Sequence, residues 1–267
     1  MNRAAPVPIY RLDLEYDGSA FHGWQVQPGM RTVQGVLREA IERLARDRVV
    51  IEGAGRTDAG VHALGQVASI TTEAVLEPRK LLHALAGMLP PDVRVHRAGV
   101  AGAAFSARHS AVARVYRYQW LRTPSPILAR HHGLLGGDID IARMQQAAAQ
   151  LCGDHDFTAF AAAASGGGRC VVERARVRDE RVRIAFEIEA DRFLHNMVRR
   201  LAGALADVGR GRLSIDVVAA ALAGSAPRGP CLPARGLFLV AVRYPPDPEF
   251  EATVVSAAPP VAPWESA

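Results

Sequence analysis

Residues 53–67, Gly-Ala-Gly-Arg-Thr-Asp-Ala-Gly-Val-His-Ala-Leu-Gly-Gln-Val, constrain the fold more than any other stretch of the chain. Gly53, Gly55 and Gly60 permit turns closed to other residues and make a helix costly, so a loop is expected. Strand-like segments flank it, Val49–Glu52 leading in and Gln66–Thr71 leading out. The loop carries an arginine, a hydroxyl and a carboxylate in succession: Arg56, Thr57 and Asp58. A carboxylate beside a cation stays ionised at neutral pH, which suits a nucleophile or electrostatic stabiliser better than a general acid. Arg56 and Asp58 are two positions apart, so in an extended loop both side chains can point to one side. Taken alone, these residues also fit a tight turn with a local Arg–Asp ion pair. Asp58 and His62 stand at i, i+4, but Gly60 disfavours a helix and no third ligand is nearby, so no metal is expected.

Around this loop the chain shows one grammar twice. Tyr10–Tyr16 alternates apolar and charged residues, the period of a half-buried strand, and Asp17-Gly18 supplies its turn. Val33, Val36, Leu37, Ala40, Ile41 and Leu44 recur at helical spacing behind Thr32 as N-cap, and Pro78 opens a helix through Met88. That order predicts an α+β layer with one sheet face covered. In the second half, Val112–Leu121 and Val182–Ala190 read as strands and Ile139–Leu151 as a helix. Leu194–Val208 reads as an amphipathic helix, followed by a short helix capped by Ser214 and a strand over Leu237–Tyr244. The expected divisions are an N-terminal half, 1–106, carrying the loop, and a C-terminal half, 107–245. A proline- and alanine-rich tail, 246–267, is expected to lack fixed structure. Residues 162–168 are expected to form a flexible loop tip.

Composition narrows the class. Three cysteines far apart, Cys152, Cys170 and Cys231, argue against a disulfide framework or zinc site and fit a reducing cytoplasm. No apolar run at Met1–Tyr10 suggests a signal peptide, and none approaches the ~18 residues of a membrane span. The net charge of +5 permits a polyanionic partner without demanding one. Lys80 is the single lysine. Codon bias in an arginine- and alanine-rich chain accounts for the total, while particular arginines remain suited to phosphate and base contacts.

Five stretches, in order, resemble the signatures of the bacterial tRNA pseudouridine synthase A family. They are Glu15–Gly18 with Phe21–Gln27, the glycine-rich loop, Phe105–Ala111 with Arg114–Tyr118, Phe193–Arg199, and Gly236–Val242. The resemblance covers most of residues 9–245. It implies an α+β pseudouridine synthase fold of two similar halves, each with a mainly antiparallel sheet covered by helices. The implied reaction is cofactor-free isomerisation of uridine to pseudouridine at positions 38, 39 and 40 of the tRNA anticodon stem-loop. A cytoplasmic homodimer binding tRNA is implied too. A noncatalytic tRNA-binding or RNA-folding protein is the rival class, and the intact Arg56-Thr57-Asp58, Tyr116 and Arg199 favour the enzyme.

By this resemblance Asp58 is the nucleophile, and Arg56 displaces the target base and takes its place in the stack. Tyr116 stacks on the uracil, although it shares a strand face with Tyr118 and Trp120, a pattern usual for core. Arg199 pairs with the nucleophilic aspartate rather than serving as an ordinary surface arginine. Leu237, otherwise a core leucine, lies against the flipped base. Phe105, Ser106, Ala107, Arg108 and His109 match a tRNA-contacting segment, with Arg108 the phosphate ligand. The 164–169 loop departs from the family pattern through its glycines, leaving Arg169 as its one contact.

Overall fold

The computed structural model describes residues 7–162, 167–224 and 229–257. These form two compact units, Met1–Val112 together with Val242–Ala267, and Ala113–Ala241. The division falls a few residues beyond the one expected, and the C-terminal segment belongs with the first unit.

The first unit contains β1 (Ile9–Tyr16), α1 (Val33–Ala45), β2 (Val50–Gly53), β3 (His62–Thr71), α2 (Pro78–Met88) and β4 (Val93–Ala101). β1 pairs antiparallel with β3 on one side and β4 on the other, and β2 pairs antiparallel with β3. Alternation in β1 buries Tyr10, Leu12, Leu14 and Tyr16. The helices bury Val33, Leu37, Ala40 and Ile41 from α1 and Leu81, Leu82 and Leu85 from α2. Thr32 caps α1 as the sequence predicts, its hydroxyl accepting from Gly35 N–H at 3.3 Å, and Pro78 opens α2.

The second unit holds β5 (Ala113–Leu121), β6 (Gly133–Leu134), α3 (Ile141–Ala149), β7 (Gly153–Asp156), β8 (Arg169–Glu180) and β9 (Arg183–Ala190). It continues with α4 (Met197–Gly209), α5 (Val217–Leu222) and β10 (Leu237–Arg243). Its strand order is β10-β5-β9-β8-β7, with β6 parallel to β5. α3 packs on β8 and α4, and α4 on β5. Tyr118 and Trp120 are core, with ring centroids 4.9 Å apart.

Three expectations need correction. The segment after Pro245 is ordered in part: α6 (Pro248–Thr253) and β11 (Val255–Ser256) follow, and β11 pairs with β4. Asp247 caps α6, Pro248 occupies its first turn, and Phe250 is fully buried against β4, so an apolar anchor overrides the proline-rich composition. The remaining tail, 258–267, lies outside the described residues, as does most of the 162–168 loop tip. Ser214 does not cap α5 with its side chain; Asp216 holds the N-cap position, and the Ser214 carbonyl accepts from Val217 N–H. α4 begins at Met197 rather than Leu194, because Asn196 adopts a left-handed conformation at its N-cap.

Candidate active site

In the first unit, the loop between β2 and β3 presents alternate residues to opposite sides. Arg56 is exposed, Thr57 buried and Asp58 half-buried. Arg56 holds no ion pair among the described residues, so the plain Arg56–Asp58 pair is not what shapes the loop. Contacts to the residues around them do that.

The Thr57 hydroxyl lies 2.7 Å from the Tyr16 phenol, where β1 ends, and this bond is buried. The Thr57 carbonyl accepts from Trp24 N–H at 3.0 Å. Gln66, fully buried on β3, donates to the Gly55 carbonyl at 2.8 Å and to the Tyr16 oxygen at 3.4 Å. On the far side, Gly60 N–H reaches the Phe21 carbonyl, and Val61 N–H closes a turn on the Asp58 carbonyl at 3.1 Å. Gly18 N–H donates to His62 Nδ1 at 3.0 Å. The 17–24 segment approaches so closely that side chains are excluded at two points. A Cβ on Gly18 would collide with the Val61 carbonyl, and one on Gly23, at φ +86°, would sit 2.6 Å from the Thr57 carbonyl. Burial pushes the Tyr16 phenol up to about 12, against weaker opposing effects of its bonds to Thr57 and Gln66, so it stays protonated at neutral pH.

The 105–109 segment belongs to the same unit and packs beneath the loop. Ala107 forms a small apolar cluster with Ala54 and Val67, against which Phe105 and Tyr244 pack. Its carbonyl accepts from the Tyr244 phenol at 2.5 Å. Ser106 donates to Glu52 at 2.5 Å and accepts from His109 N–H, which closes the turn. Arg108 and His109 are exposed, while Phe105 and Ser106 are half-buried and Ala107 is inaccessible.

The second unit carries the other residues singled out in the sequence. Tyr116, on β5, is buried and meets Phe193 edge-on at 4.9 Å. Arg199, in the first turn of α4, donates through Nε to the Leu232 carbonyl at 2.7 Å and through Nη1 to Asn196 Oδ1 at 2.8 Å. Leu237 opens β10 and is buried. Arg169 is exposed and bonded to Asp154 at 2.8 Å.

Sequence reasoning did not assign roles to Tyr16, Gln66 and Trp24. The signal for Tyr16 was available: alternation buries the last residue of β1, and a buried phenol requires a hydrogen-bond partner.

A tRNA pseudouridine synthase family model matches residues 14–109 and 147–245. A Pelodictyon phaeoclathratiforme protein named tRNA pseudouridine synthase A is 40% identical over 240 residues, covering 88% of this chain and 98% of its own. A protein of the same name from Roseiflexus sp. (strain RS-1) is 43% identical over 244 residues, 88% of this chain and 90% of its own. One from Myxococcus xanthus is 41% identical over 245 residues, 89% and 92% respectively. Matched along both compact units, the chain belongs to the tRNA pseudouridine synthase family, and pseudouridine synthases are isomerases.

Proposed function

We propose that this protein converts uridine to pseudouridine in tRNA, at positions 38, 39 and 40 of the anticodon stem-loop, with Asp58 as nucleophile. The observation that carries the reading is the loop itself. It holds Thr57 inward by two hydrogen bonds, one to its hydroxyl and one to its carbonyl, and leaves Arg56 exposed and Asp58 half-buried, in a chain of this family.

The reaction breaks the bond between uracil N1 and ribose C1′, turns the base, and joins C5 to C1′. The C5 proton leaves and N1 gains one, so the product is an isomer and no redox partner is needed. The Asp58 carboxylate assists by covalent attack or by promoting a glycal. Arg56 fills the stack vacated by the extruded base, offsetting part of an unstacking cost of a few kcal/mol. We carry over Tyr116 as the stacking ring, Arg199 as the counter-charge to the carboxylate, and Leu237 as an apolar wall for the base. Arg108, His109 and Arg169 are proposed to meet the RNA backbone. Phe105, Ser106 and Ala107 would shape that contact rather than make it with their side chains. A cytoplasmic homodimer belongs to the same proposal. Among the described residues no helix is long and apolar enough to cross a membrane.

The test is tritium release from C5-labelled uridine in tRNA. Wild-type protein is expected to release label, and Asp58→Asn to slow single-turnover release on the order of 10⁴-fold or more. Its tRNA affinity should change little, because phosphate contacts dominate affinity. Equal release by both proteins would remove Asp58 from the chemistry. No release by either would favour the noncatalytic RNA-binding reading.

A further inference from the structure

We propose that Tyr16 is a positioning residue for the Arg56–Asp58 loop, acting through the Thr57 hydroxyl as the middle of a buried chain of hydrogen bonds that links Gln66, Tyr16 and Thr57. The inference rests on the proposed function and deepens it.

The orientation of the Gln66 amide follows from groups with only one possible role. Val67 N–H can only donate, and it donates to Gln66 Oε1 at 3.2 Å. The Gly55 carbonyl can only accept, and Gln66 Nε2 bonds it at 2.8 Å. Together they fix the amide orientation, so the second Nε2 hydrogen is directed at the Tyr16 oxygen. The Tyr16 phenol and the Thr57 hydroxyl then share a bond of 2.7 Å in which either oxygen can donate. Burial keeps the phenol protonated, so the bond between two neutral hydroxyls persists through the neutral range.

Each member grips a different point of the loop. Gln66 fixes the Gly55 carbonyl, just before Arg56, and Tyr16 fixes the Thr57 side chain, just before Asp58. Trp24 N–H holds the Thr57 carbonyl as a third point. Rotation of residues 56–58 would break a buried bond with no water to replace it. A misplacement near 1 Å at such a site costs on the order of 10²-fold in rate. A phenol bond 41 residues distant in sequence therefore bears on turnover.

The experiment compares Tyr16→Phe, Thr57→Val, the double variant, and Tyr10→Phe. Tyr10 is a control on the same face of β1; its buried phenol accepts from Leu76 N–H at 2.7 Å, away from the loop. Single-turnover tritium release at saturating protein, tRNA affinity, melting temperature and amide hydrogen exchange of residues 55–61 are measured. Tyr16→Phe should lower the rate about tenfold, leave tRNA affinity within about twofold, and speed exchange across the loop. The double variant should be no slower than the slower single one, since one shared bond is lost. Tyr10→Phe should retain the wild-type rate whatever its melting temperature. An unaltered rate and exchange in Tyr16→Phe, multiplicative losses in the double variant, or an equal rate loss in Tyr10→Phe would each overturn the positioning role. Wild-type protein that releases no label would overturn the function reading, an outcome distinct from an active wild type matched by Tyr16→Phe.

Discussion

Asp58 and Arg56 owe their accessibility to the residue between them, and Thr57 owes its place to residues far away in sequence. The chemistry-bearing triplet was legible because its residue types and glycines lie together. Its support was not, because Tyr16 and Gln66 lie 41 and 50 residues from their partners, Thr57 and Tyr16 respectively. Neither distance leaves a trace in local periodicity. The same applies to Arg199, whose Nε is held by a carbonyl 33 residues on. The Tyr16 phenol also gives this region a signature in alkaline solution. With its folded pKa at about 12 and its unfolded value near 10, both states hold the proton below pH 10, and the full stability is present there. Between about pH 10 and 12 the unfolded chain gives up the proton while the folded one retains it, so stability falls as pH rises. The loss attributable to this group is about 2–3 kcal/mol. Urea unfolding at pH 9 and pH 11 should show a smaller drop in Tyr16→Phe than in wild type. Tyr118, raised in the same direction by burial, supplies a slope common to both proteins. Equal drops in the two proteins would place the phenol in contact with water.

At the scale of elements, the strands that sequence reasoning caught are those with unbroken alternation, such as β1 and β9. The two long ones it missed, β4 and β8, carry irregularities. In β4 the register against β1 shifts between Asp13 and Leu14, leaving His96 without a partner in the ladder. In β8 the register against β9 shifts between Val172 and Arg174. Each bulge inverts the sequence's period-2 pattern midway, so neither half is long enough to stand out. α6 was hidden differently: prolines that suggested an unstructured tail include the one opening the helix. The most consequential contact between segments of the first unit is the backbone approach of Gly23 to Thr57. Gly23→Ala imposes a left-handed conformation on a residue with a side chain and drives its Cβ against the Thr57 carbonyl. A stability loss of about 1–3 kcal/mol is expected. Turnover measured where the variant is still fully folded should fall further, about 10- to 100-fold, because the loop itself is displaced. Calorimetry and single-turnover rates on one preparation check this, and a stable variant with normal turnover would show that the 17–24 segment merely covers the loop.

For the whole molecule, the net charge of +5 is small for an RNA-binding protein, so individual arginines matter more than the total. Arg108 projects from a turn whose shape is fixed by Ser106, Glu52 and the Ala107 cluster. Arg108→Ala should weaken binding to all substrate tRNAs about equally and flatten the log–log salt dependence by roughly one unit. Rates at saturating protein should survive, and a collapsed saturating rate with an unchanged salt slope would instead tie Arg108 to the chemistry. The division into units was the least legible feature at this scale, since a repeated grammar of strands and helices says nothing about where a chain returns. It does return: residues from Val242 onward complete the unit begun at the N-terminus, with Phe250 and β11 both set against β4. During synthesis, the 129 residues of Ala113–Ala241 must be made between the two parts of that unit. At roughly 5–20 residues per second, this takes about 6–26 s. Throughout that interval the nascent first unit exposes the β4 edge that β11 later pairs with and the apolar site that Phe250 later fills. The inserted unit is contiguous and can close before its predecessor. The half that carries Asp58 is thus born first and finished last, and it is the one for which a holding chaperone would matter.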